Sequence, residues 1–323
     1  MVMDFTLSNF SGIVENALAE LEYPRVAPKL FDPIRYTLES GGKRLRPVLT
    51  LASYSALAKE EPAKAINQAL AIELFHNFTL LHDDVMDRAD IRRGRPTVHR
   101  KWGDNVAILS GDAMLTMATQ QLAKEAGDCL ADLSECFNRT AMEVYEGQQL
   151  DMEFEQRQDV TIDEYLFMIG LKTSVLLGCA CSLGAIMAHA DKATAEALYR
   201  YGYALGMAFQ LRDDWLDTFG DPAVFGKEIG GDIVNHKKTW LLISALEAEP
   251  EELPAILAED LEPQETIAQV KALYERHHLG DRCQELALKY SAEAKNYLDK
   301  IDIDVEARTF FANLADSAST RAH

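Results

Sequence analysis

The stretch 69-ALAIELFHNFTLLHDDVMD-87 joins an apolar helical run to three carboxylates within five residues. On an α-helix, residues four apart lie on one face, so Asp83 and Asp87 are predicted to point the same way, with Asp84 beside them. Like charges at this spacing destabilise a helix modestly, and buried carboxylates without partners are costly. The stretch therefore predicts a buried helix that carries a cation site, with an exposed acidic helix face as the alternative.

A second carboxylate cluster follows 130 residues later in 208-AFQLRDDWLD-217. Its polar side chains, Gln210, Asp213, Asp214 and Asp217, have the spacing i, i+3, i+4, i+7, which predicts a polar stripe on an otherwise apolar helix. Ligand sets made only of oxygen atoms suit Mg²⁺. Two such clusters facing each other across a helical bundle would make a multi-metal cage.

Two basic islands interrupt an acidic chain whose formal net charge is −20. One holds Lys43, Arg44 and Arg46, and the other runs from Arg88 to Lys101. The net charge argues against nonspecific binding to nucleic acid or anionic membranes, but local positive charge can still bind an anionic substrate. Arginine binds phosphate bidentately and lysine binds it as a point charge. Carboxylates, a divalent metal and these cations together describe a diphosphate site.

The pattern of the whole chain favours a single all-α domain over residues 1–323. No proline lies between Pro96 and Pro222, and apolar residues recur there at three- and four-residue intervals. We expect helix starts at Ser11 or Asp32-Pro33 and at Thr161, and a central helix over 161–188. The acidic stretch 249–265 is interpreted as a surface loop with a short helix.

The sequence also predicts a soluble cytoplasmic protein without stable membrane insertion. The apolar run 175-VLLGCACSLGAIMA-188 is too short to span a bilayer, and the N-terminus lacks the pattern of a signal peptide. Five cysteines without CxxC spacing fit neither a disulfide framework nor a zinc site, so we expect reduced, buried thiols.

At this point the chain resembles the trans-type polyprenyl diphosphate synthases. The resemblance covers roughly residues 36 to 246 and rests on motifs that stand in the order of the family: 41-GGKRLRP-47, 80-LLHDDVMDRADIRRGRPTVHRKWG-103, 103-GDNVAILSGD-112, 147-GQQLD-151, 171-LKTS-174, 209-FQLRDDWLD-217 and 226-GKEIGGDIVNHKKT-239. It implies an all-helical bundle around a deep central cavity, usually assembled as a homodimer. It also implies condensation of an allylic diphosphate with isopentenyl diphosphate.

The resemblance implies a role for each matching residue. Magnesium bridged to the allylic diphosphate would be held by Asp83, Asp87 and Asp213, supported by Asp84, Asp214 and Asp217. The allylic diphosphate itself would be contacted by Arg92, Lys172, Lys227 and Lys237. Isopentenyl diphosphate would be bound by Lys43, Arg46, His76 and Arg93. The developing carbocation would be faced by Thr173 and Gln210. One departure is His236, where the family often has glycine. The C-terminal tail, with Arg321, is given no role.

Product length is predicted from the residues upstream of Asp83. Thr79, Phe78 and Phe75 stand four, five and eight residues before it, and eight residues correspond to about 12 Å of helix. In the family, aromatic side chains four and five residues before the motif shorten the product. One aromatic of that pair predicts a product of fifteen or twenty carbons, with geranylgeranyl favoured over farnesyl. The alternative is that Phe75 and Phe78 only pack the core.

Three other functions remain open from the residues alone. A class I terpene cyclase shares the first aspartate motif, but its second metal site typically mixes Asn, Ser or Thr, and Glu. A non-catalytic subunit of a heteromeric synthase tends to lose aspartates, whereas all six are present here. A plain divalent-cation buffer would not explain the phosphate-type arginines.

Overall fold

The computed structural model describes residues 4–24, 26–221 and 229–320, and these are almost entirely helical, as predicted. The first helices are α1 (Leu7–Ala19), α2 (Pro28–Leu38), α3 (Leu45–Ala58), α4 (Ile66–Met86), α5 (Val98–Trp102), α6 (Asp104–Ala123), α7 (Leu130–Gln156), α8 (Ile162–Ile169), α9 (Val175–Met187) and α10 (Lys192–Phe219). The later helices are α11 (Gly231–Val234), α12 (Trp240–Ala248), α13 (Glu252–Ala258), α14 (Pro263–Arg276), α15 (Leu279–Leu298) and α16 (Val305–Thr320).

Short elements of other kinds interrupt the α-helices in the described residues. Turns of 3₁₀ helix span Pro62–Ala65 and Gly127–Cys129, and a π-helical turn, Gly170–Ser174, joins α8 to α9. The β-structure of the described residues is a two-stranded antiparallel hairpin, β1 (Ile91–Arg92) and β2 (Arg95–Pro96).

The first of two compact units combines residues 1–138, 179–196 and 303–307. In it α4 packs along α6 and α3, and α1 packs on α3. Most of α4 is buried, including Phe75, Phe78 and Leu81. This burial explains why its sequence is apolar almost all round, in the way typical of a core helix.

The second unit combines residues 139–178, 197–302 and 308–323. Its core gathers side chains from the end of α7, α8, α10 and the helices from α11 to α15, among them Tyr165, Leu211, Trp240 and Tyr274. In this unit α12 packs on α8 and α15. The stretch 249–265 forms α13 and the turn before α14, in agreement with the predicted loop and short helix.

Helix starts were only partly predictable. Thr161 forms a capping box with Glu164, as expected from the Thr-x-x-Glu spacing. Ser11 and Pro33 instead lie inside α1 and α2, so those predicted starts are wrong. Thr6 caps α1 by accepting the amide of Asn9, and a different proline, Pro28, stands in the first turn of α2.

The apolar run considered from the sequence is part of a longer helical stretch, Ile162–Met187. By length and composition alone, these 26 residues could cross a membrane. However, 72% of its most apolar window is buried within the protein, as is typical of the core helix of a soluble protein. The five cysteines are free of disulfide bonds and buried, in agreement with the predicted buried thiols.

The π-helical turn packs against two neighbouring helices with backbone close to backbone. A Cβ atom at Gly147 of α7 would lie 2.4 Å from the amide nitrogen of Lys172. A Cβ atom at Gly206 of α10 would lie 2.5 Å from the Cα atom of Ser174. Real side chains do not tolerate such distances, so these two glycines allow α7 and α10 to hold the π-helical turn.

We predict that Gly206→Ala lowers the free energy of unfolding by about 1–3 kcal/mol, because the added methyl group overpacks a backbone contact. Urea denaturation of the purified protein measures this change. Gly12→Ala in α1 is the matched control, since nothing lies within 4 Å of the added atom. There the better helix propensity of alanine should stabilise the protein by about 0.5–1 kcal/mol. Equal effects of the two substitutions would contradict the packing argument.

Candidate active site

The first aspartate motif lies at the C-terminal end of α4. The amide of Asp87 donates to the carbonyl of Asp83 at 2.8 Å, so the helical turn continues through the motif. Asp83 is half-buried, Asp84 is buried and Asp87 is exposed. The first and last carboxylates therefore lie one turn apart, as predicted, while the middle one points inward.

Asp84 is paired with Arg92 from the hairpin, at 2.7 Å between Oδ1 and Nε. Burial raises the pKa of the Asp84 carboxyl, although the guanidinium opposes this shift. The pair ties β1 to the end of α4 and orients Arg92, the residue that the sequence assigned to the allylic diphosphate.

The hairpin turn places Arg93 beside the loop that precedes α3. Arg93 and Gly94 both have positive φ, 51° and 71°, as a type I′ turn requires. The guanidinium of Arg93 donates to the carbonyl of Gly41, and a Cβ atom on Gly42 would lie 3.1 Å from it. The glycine pair before Lys43 therefore gives Arg93 room to approach.

Arg46 of α3 and His76 of α4 meet at 3.2 Å between Nη1 and Nε2. Burial lowers the pKa of Arg46 to about 10, with Glu73 opposing the shift and Arg93 adding to it. Burial and the nearby arginines, Arg46 first, hold the pKa of His76 well below its usual value, so this imidazole is neutral. Positive charge gathered in a half-buried place favours an anionic ligand.

Other cations of the two basic islands are held by internal partners. Buried Arg44 pairs with Glu73 and with Glu15, each at 2.7 Å, so this residue cross-links α1, α3 and α4. The guanidinium of Arg95 stacks on Tyr36, 3.8 Å from the ring centroid. The remaining pairs are Arg88 with Asp104 and Arg100 with Asp90. Charge and spacing alone did not distinguish these structural cations from Lys43, Arg46, Arg92 and Arg93, to which only the family resemblance assigned roles.

The residues predicted to set product length all lie on α4 and differ in burial. Thr79 is half-buried, like His76 and Asp83, which places all three along one stripe. Phe75 and Phe78 are buried, with their ring centroids 5.6 Å apart. Phe75 also packs edge-on against Phe137 of α7, with 5.2 Å between centroids.

In the second unit, the predicted polar stripe lies along α10. Asp213 and Asp217 are half-buried and Asp214 is buried. Tyr165 of α8 donates a hydrogen bond to Asp214, and Gln210 donates another at 3.0 Å. Burial, together with the charge of Asp232, raises the pKa of Asp214 to about 7, although Lys237 and the two hydrogen bonds oppose this.

Asp217 is linked to the segment that begins α11. Its Oδ2 accepts the backbone amide of Asp232 at 2.9 Å, and its carbonyl accepts the amide of Gly230. Asp232 in turn lies 4.0 Å from Lys237, measured from Oδ1 to Nζ. These contacts bring Lys237 to the C-terminal end of the stripe on α10.

The π-helical turn carries Lys172 and Thr173. Lys172 pairs with Asp151 of α7 at 2.5 Å between Nζ and Oδ2. The hydroxyl of Thr173 donates to the Oε1 atom of Gln210 at 3.0 Å. A π-turn inside an α-helix is frequently found at a functional site. One chain of hydrogen bonds links Thr173, Gln210, Asp214 and Tyr165.

Sequence reasoning missed three partners in this unit: Tyr165, Asp151 and Asp232. Asp151 closes the motif 147-GQQLD-151, which was a signal for its role, whereas Tyr165 has the appearance of an ordinary core residue. Lys227 and Arg321 lie outside the described residues.

In each unit, the aspartate motif offers oxygen ligands of the kind that magnesium prefers. Asp83, Asp87, Asp213 and Asp217 offer carboxylate oxygens, which are the ligands that Mg²⁺ prefers, and each of these residues keeps some exposure. In both motifs the middle aspartate is instead buried and hydrogen-bonded by the protein.

Comparisons with known proteins show similarity over most of the chain. Residues 27–276 match the family model described as polyprenyl synthetase. A geranylgeranyl diphosphate synthase of Methanosarcina mazei is 38% identical over 319 residues, which cover 98% of this chain and 97% of the relative. A geranylfarnesyl diphosphate synthase of Natronomonas pharaonis is 35% identical over 332 residues, covering 96% and 95%. A crystal structure of a geranylgeranyl pyrophosphate synthase is similar with a TM-score of 0.94 and 42% identity, covering 99% of this chain and all of that one.

We predict that Arg44→Met lowers the free energy of unfolding by about 3–5 kcal/mol, because it removes the guanidinium that is paired with the buried carboxylate of Glu73. Urea denaturation gives the difference. The neighbouring substitution Lys43→Met serves as the control, since Lys43 is exposed and its replacement should change stability by less than about 0.5 kcal/mol. A stable Arg44→Met protein would show that Arg44 is not a structural cross-link.

Proposed function

The chain belongs to the polyprenyl synthetase family, and from this premise we propose that it condenses an allylic diphosphate with isopentenyl diphosphate in a magnesium-dependent reaction that gives a short-chain all-trans product. The observation that carries the proposal is the family match over residues 27–276, which includes every residue assigned a role below.

Magnesium would be held by Asp83, Asp87 and Asp213, and when bound it would neutralise charge on the departing diphosphate. Asp84, Asp214 and Asp217 act as supporting residues. Asp84 accepts a hydrogen bond from Arg92, and Asp214 accepts hydrogen bonds from Tyr165 and Gln210. These bonds hold the two supporting aspartates beside the proposed metal ligands.

The cations bind and orient the two substrates. The allylic diphosphate is contacted by Arg92, Lys172, Lys227 and Lys237. These positive charges stabilise the charge that develops on the leaving group. Isopentenyl diphosphate is held by Lys43, Arg46, His76 and Arg93. Neutral His76 serves as a hydrogen-bonding group, because its low pKa leaves the positive charge to the arginines.

The condensation itself needs no protein nucleophile. The allylic C–O bond breaks, and the electron pair of the isopentenyl double bond forms the new C–C bond with the allylic cation. A proton then leaves the adjacent carbon, and the released diphosphate is the proposed base. Gln210 is held by Thr173 and Asp214, so its amide dipole and the Thr173 oxygen are positioned to stabilise the cation.

We predict that Asp83→Ala and Asp213→Ala each reduce turnover about a hundredfold or more, because an electrostatic stabiliser of the leaving group is lost. The assay follows diphosphate release with and without isopentenyl diphosphate. Asp302→Ala, at an exposed carboxylate, is the control and should keep full activity.

The same assay separates the rival functions. Release that needs no isopentenyl diphosphate would favour a terpene cyclase, and absence of release would favour a non-catalytic subunit or a cation buffer. Full activity in either aspartate variant would overturn the metal-site assignment.

We predict that Arg46→Gln raises the KM for isopentenyl diphosphate roughly tenfold to a hundredfold, since a hydrogen bond to a charged group contributes about 1.5–3 kcal/mol. The KM for the allylic substrate should stay unchanged. Steady-state kinetics with each substrate varied in turn distinguish the two constants. Arg100→Gln is the matched control, because exposed Arg100 is paired with Asp90. Equal changes in both KM values would contradict the assignment of Arg46.

Product length is proposed to be fifteen or twenty carbons, with geranylgeranyl diphosphate favoured. Support comes from bulky Phe75 and Phe78, which lie in the α4 segment upstream of Asp83, and from the relatives named for this product. One relative is named a geranylfarnesyl diphosphate synthase, so proteins similar to this one are named for products of different length. The prediction of product length therefore depends on Phe75 and Phe78.

We predict that Phe75→Ala or Phe78→Ala shifts the product toward longer prenyl chains, because a smaller side chain leaves more room for the growing chain. Chromatography of the products made from dimethylallyl and isopentenyl diphosphates measures the shift. Phe311→Ala creates a comparable cavity in the core of the second unit and should leave the product unchanged. A wild-type product of thirty or more carbons would refute the short-chain assignment.

A cytoplasmic homodimer is the proposed form of the enzyme. Five buried free thiols support a reducing compartment. Exposed Ile108 and Leu109 on α6 support a further protein contact, since they place apolar area at the surface of the first unit. A single domain over residues 1–323 stays a prediction.

A further inference from the structure

Three potential metal ligands come together in the first unit, outside the aspartate motifs. Asp128 and Cys129 end the 3₁₀ turn before α7, and His189 follows the end of α9. The Sγ atom of Cys129 lies 3.7 Å from Nδ1 of His189 and 3.9 Å from Oδ1 of Asp128. All three ligand atoms lie within 4.8 Å of one another.

These distances are close to those of a tetrahedral zinc site. A Zn–S bond of about 2.3 Å and a Zn–N or Zn–O bond of about 2.0 Å place two ligand atoms about 3.5 Å apart. The observed separations from Cys129 exceed this by only a few tenths of an ångström. A thiolate, an imidazole and a carboxylate together suit Zn²⁺ better than Mg²⁺, which prefers oxygen alone.

The backbone holds His189 in a conformation that usually belongs to glycine. Its φ is 53°, its amide donates to the carbonyl of Ile186, and the amide of Ala190 donates to the carbonyl of Ala185. This pair of bonds is a Schellman motif, whose C′ position favours glycine because of its positive φ. Histidine is less favourable than glycine in this backbone conformation, but it places an imidazole beside Cys129.

The cluster is remote from the first aspartates. Gln68, near the start of α4, donates to the carbonyls of Leu122 and Lys124, a few residues before Asp128. Asp83 stands fifteen residues further along the same helix, which corresponds to about 22 Å. A metal at Cys129 would therefore be separate from the magnesium proposed for substrate binding.

We propose that Asp128, Cys129 and His189 bind one zinc ion that links the start of α7 to the end of α9. The three side chains leave a fourth position for water. On binding, the thiol loses its proton and gives up its hydrogen bond to the carbonyl of Ile186, now 3.3 Å away. The site is independent of the prenyl-transfer function proposed above.

Cobalt titration of the full-length protein tests this site. The protein is stripped with chelator and titrated with Co²⁺ in excess Mg²⁺, which occupies oxygen-only sites. The expected result is a thiolate-to-cobalt absorption band that saturates at one equivalent and disappears when Zn²⁺ is added. Zinc should also raise Tm, since it binds the folded state. The proposal would be overturned if no thiolate-to-cobalt band formed, or if the band saturated equally when a residue of the cluster had been replaced.

Matched variants identify the ligands. Cys129→Ser and His189→Asn should abolish the band and the zinc-dependent rise in Tm, and asparagine tolerates the positive φ. Cys136→Ser and His278→Asn should retain both, because Cys136 is another buried thiol and His278 has a φ of 52°. If Cys129→Ser fails to fold, the result for His189→Asn decides. Prenyl-transfer activity should remain in His189→Asn and would show that this variant is folded. A band that survives in His189→Asn would refute the site.

Discussion

The hydrogen bonds to the two buried aspartates, Asp84 and Asp214, organise the surroundings of each aspartate motif within its own unit. A carboxylate inside the protein needs partners, because burial without them is costly. Arg92 meets this need for Asp84, and Tyr165 and Gln210 meet it for Asp214. In each motif the hydrogen-bonded aspartate is buried, whereas the first and last aspartates keep some exposure. The internal hydrogen bonds and the proposed ligand positions are thus parts of one arrangement.

Positive charge follows a comparable division of roles. Arg44 is consumed by Glu15 and Glu73 inside the first unit, whereas Arg46, two residues later, lies against neutral His76. The same island therefore contains a structural cation and a proposed substrate cation. Arg44 precedes α3 in a left-handed backbone conformation with φ of 49°, whereas Arg46 lies in the first turn of the helix, so the two charges serve the fold and the proposed substrate separately.

The all-helical fold and the aspartate stripe were predictable from the sequence because both depend on local periodicity. The capping box at Thr161 was predictable for the same reason. The partners of Arg44 were not, since each stands 29 residues away in the chain and only the folded structure brings them together. The hairpin around Arg93 escaped prediction because its strands have two residues each. Tyr165 escaped because nothing local distinguishes a tyrosine that donates to a carboxylate from one that fills the core.

The π-helical turn between α8 and α9 has a further consequence, for helix phase. A π-turn accommodates one more residue than an α-turn, and one residue of α-helix corresponds to about 100° of rotation. Side chains that follow Ser174 are therefore rotated about the helix axis by about 100° relative to the positions that an uninterrupted α-helix would give them. An apolar sequence that reads as one helix is in effect two, each with its own inward direction. Deletion of a single residue within 170–174 would therefore convert the π-turn into a regular α-helical turn and leave the later side chains of α9 facing their present neighbours.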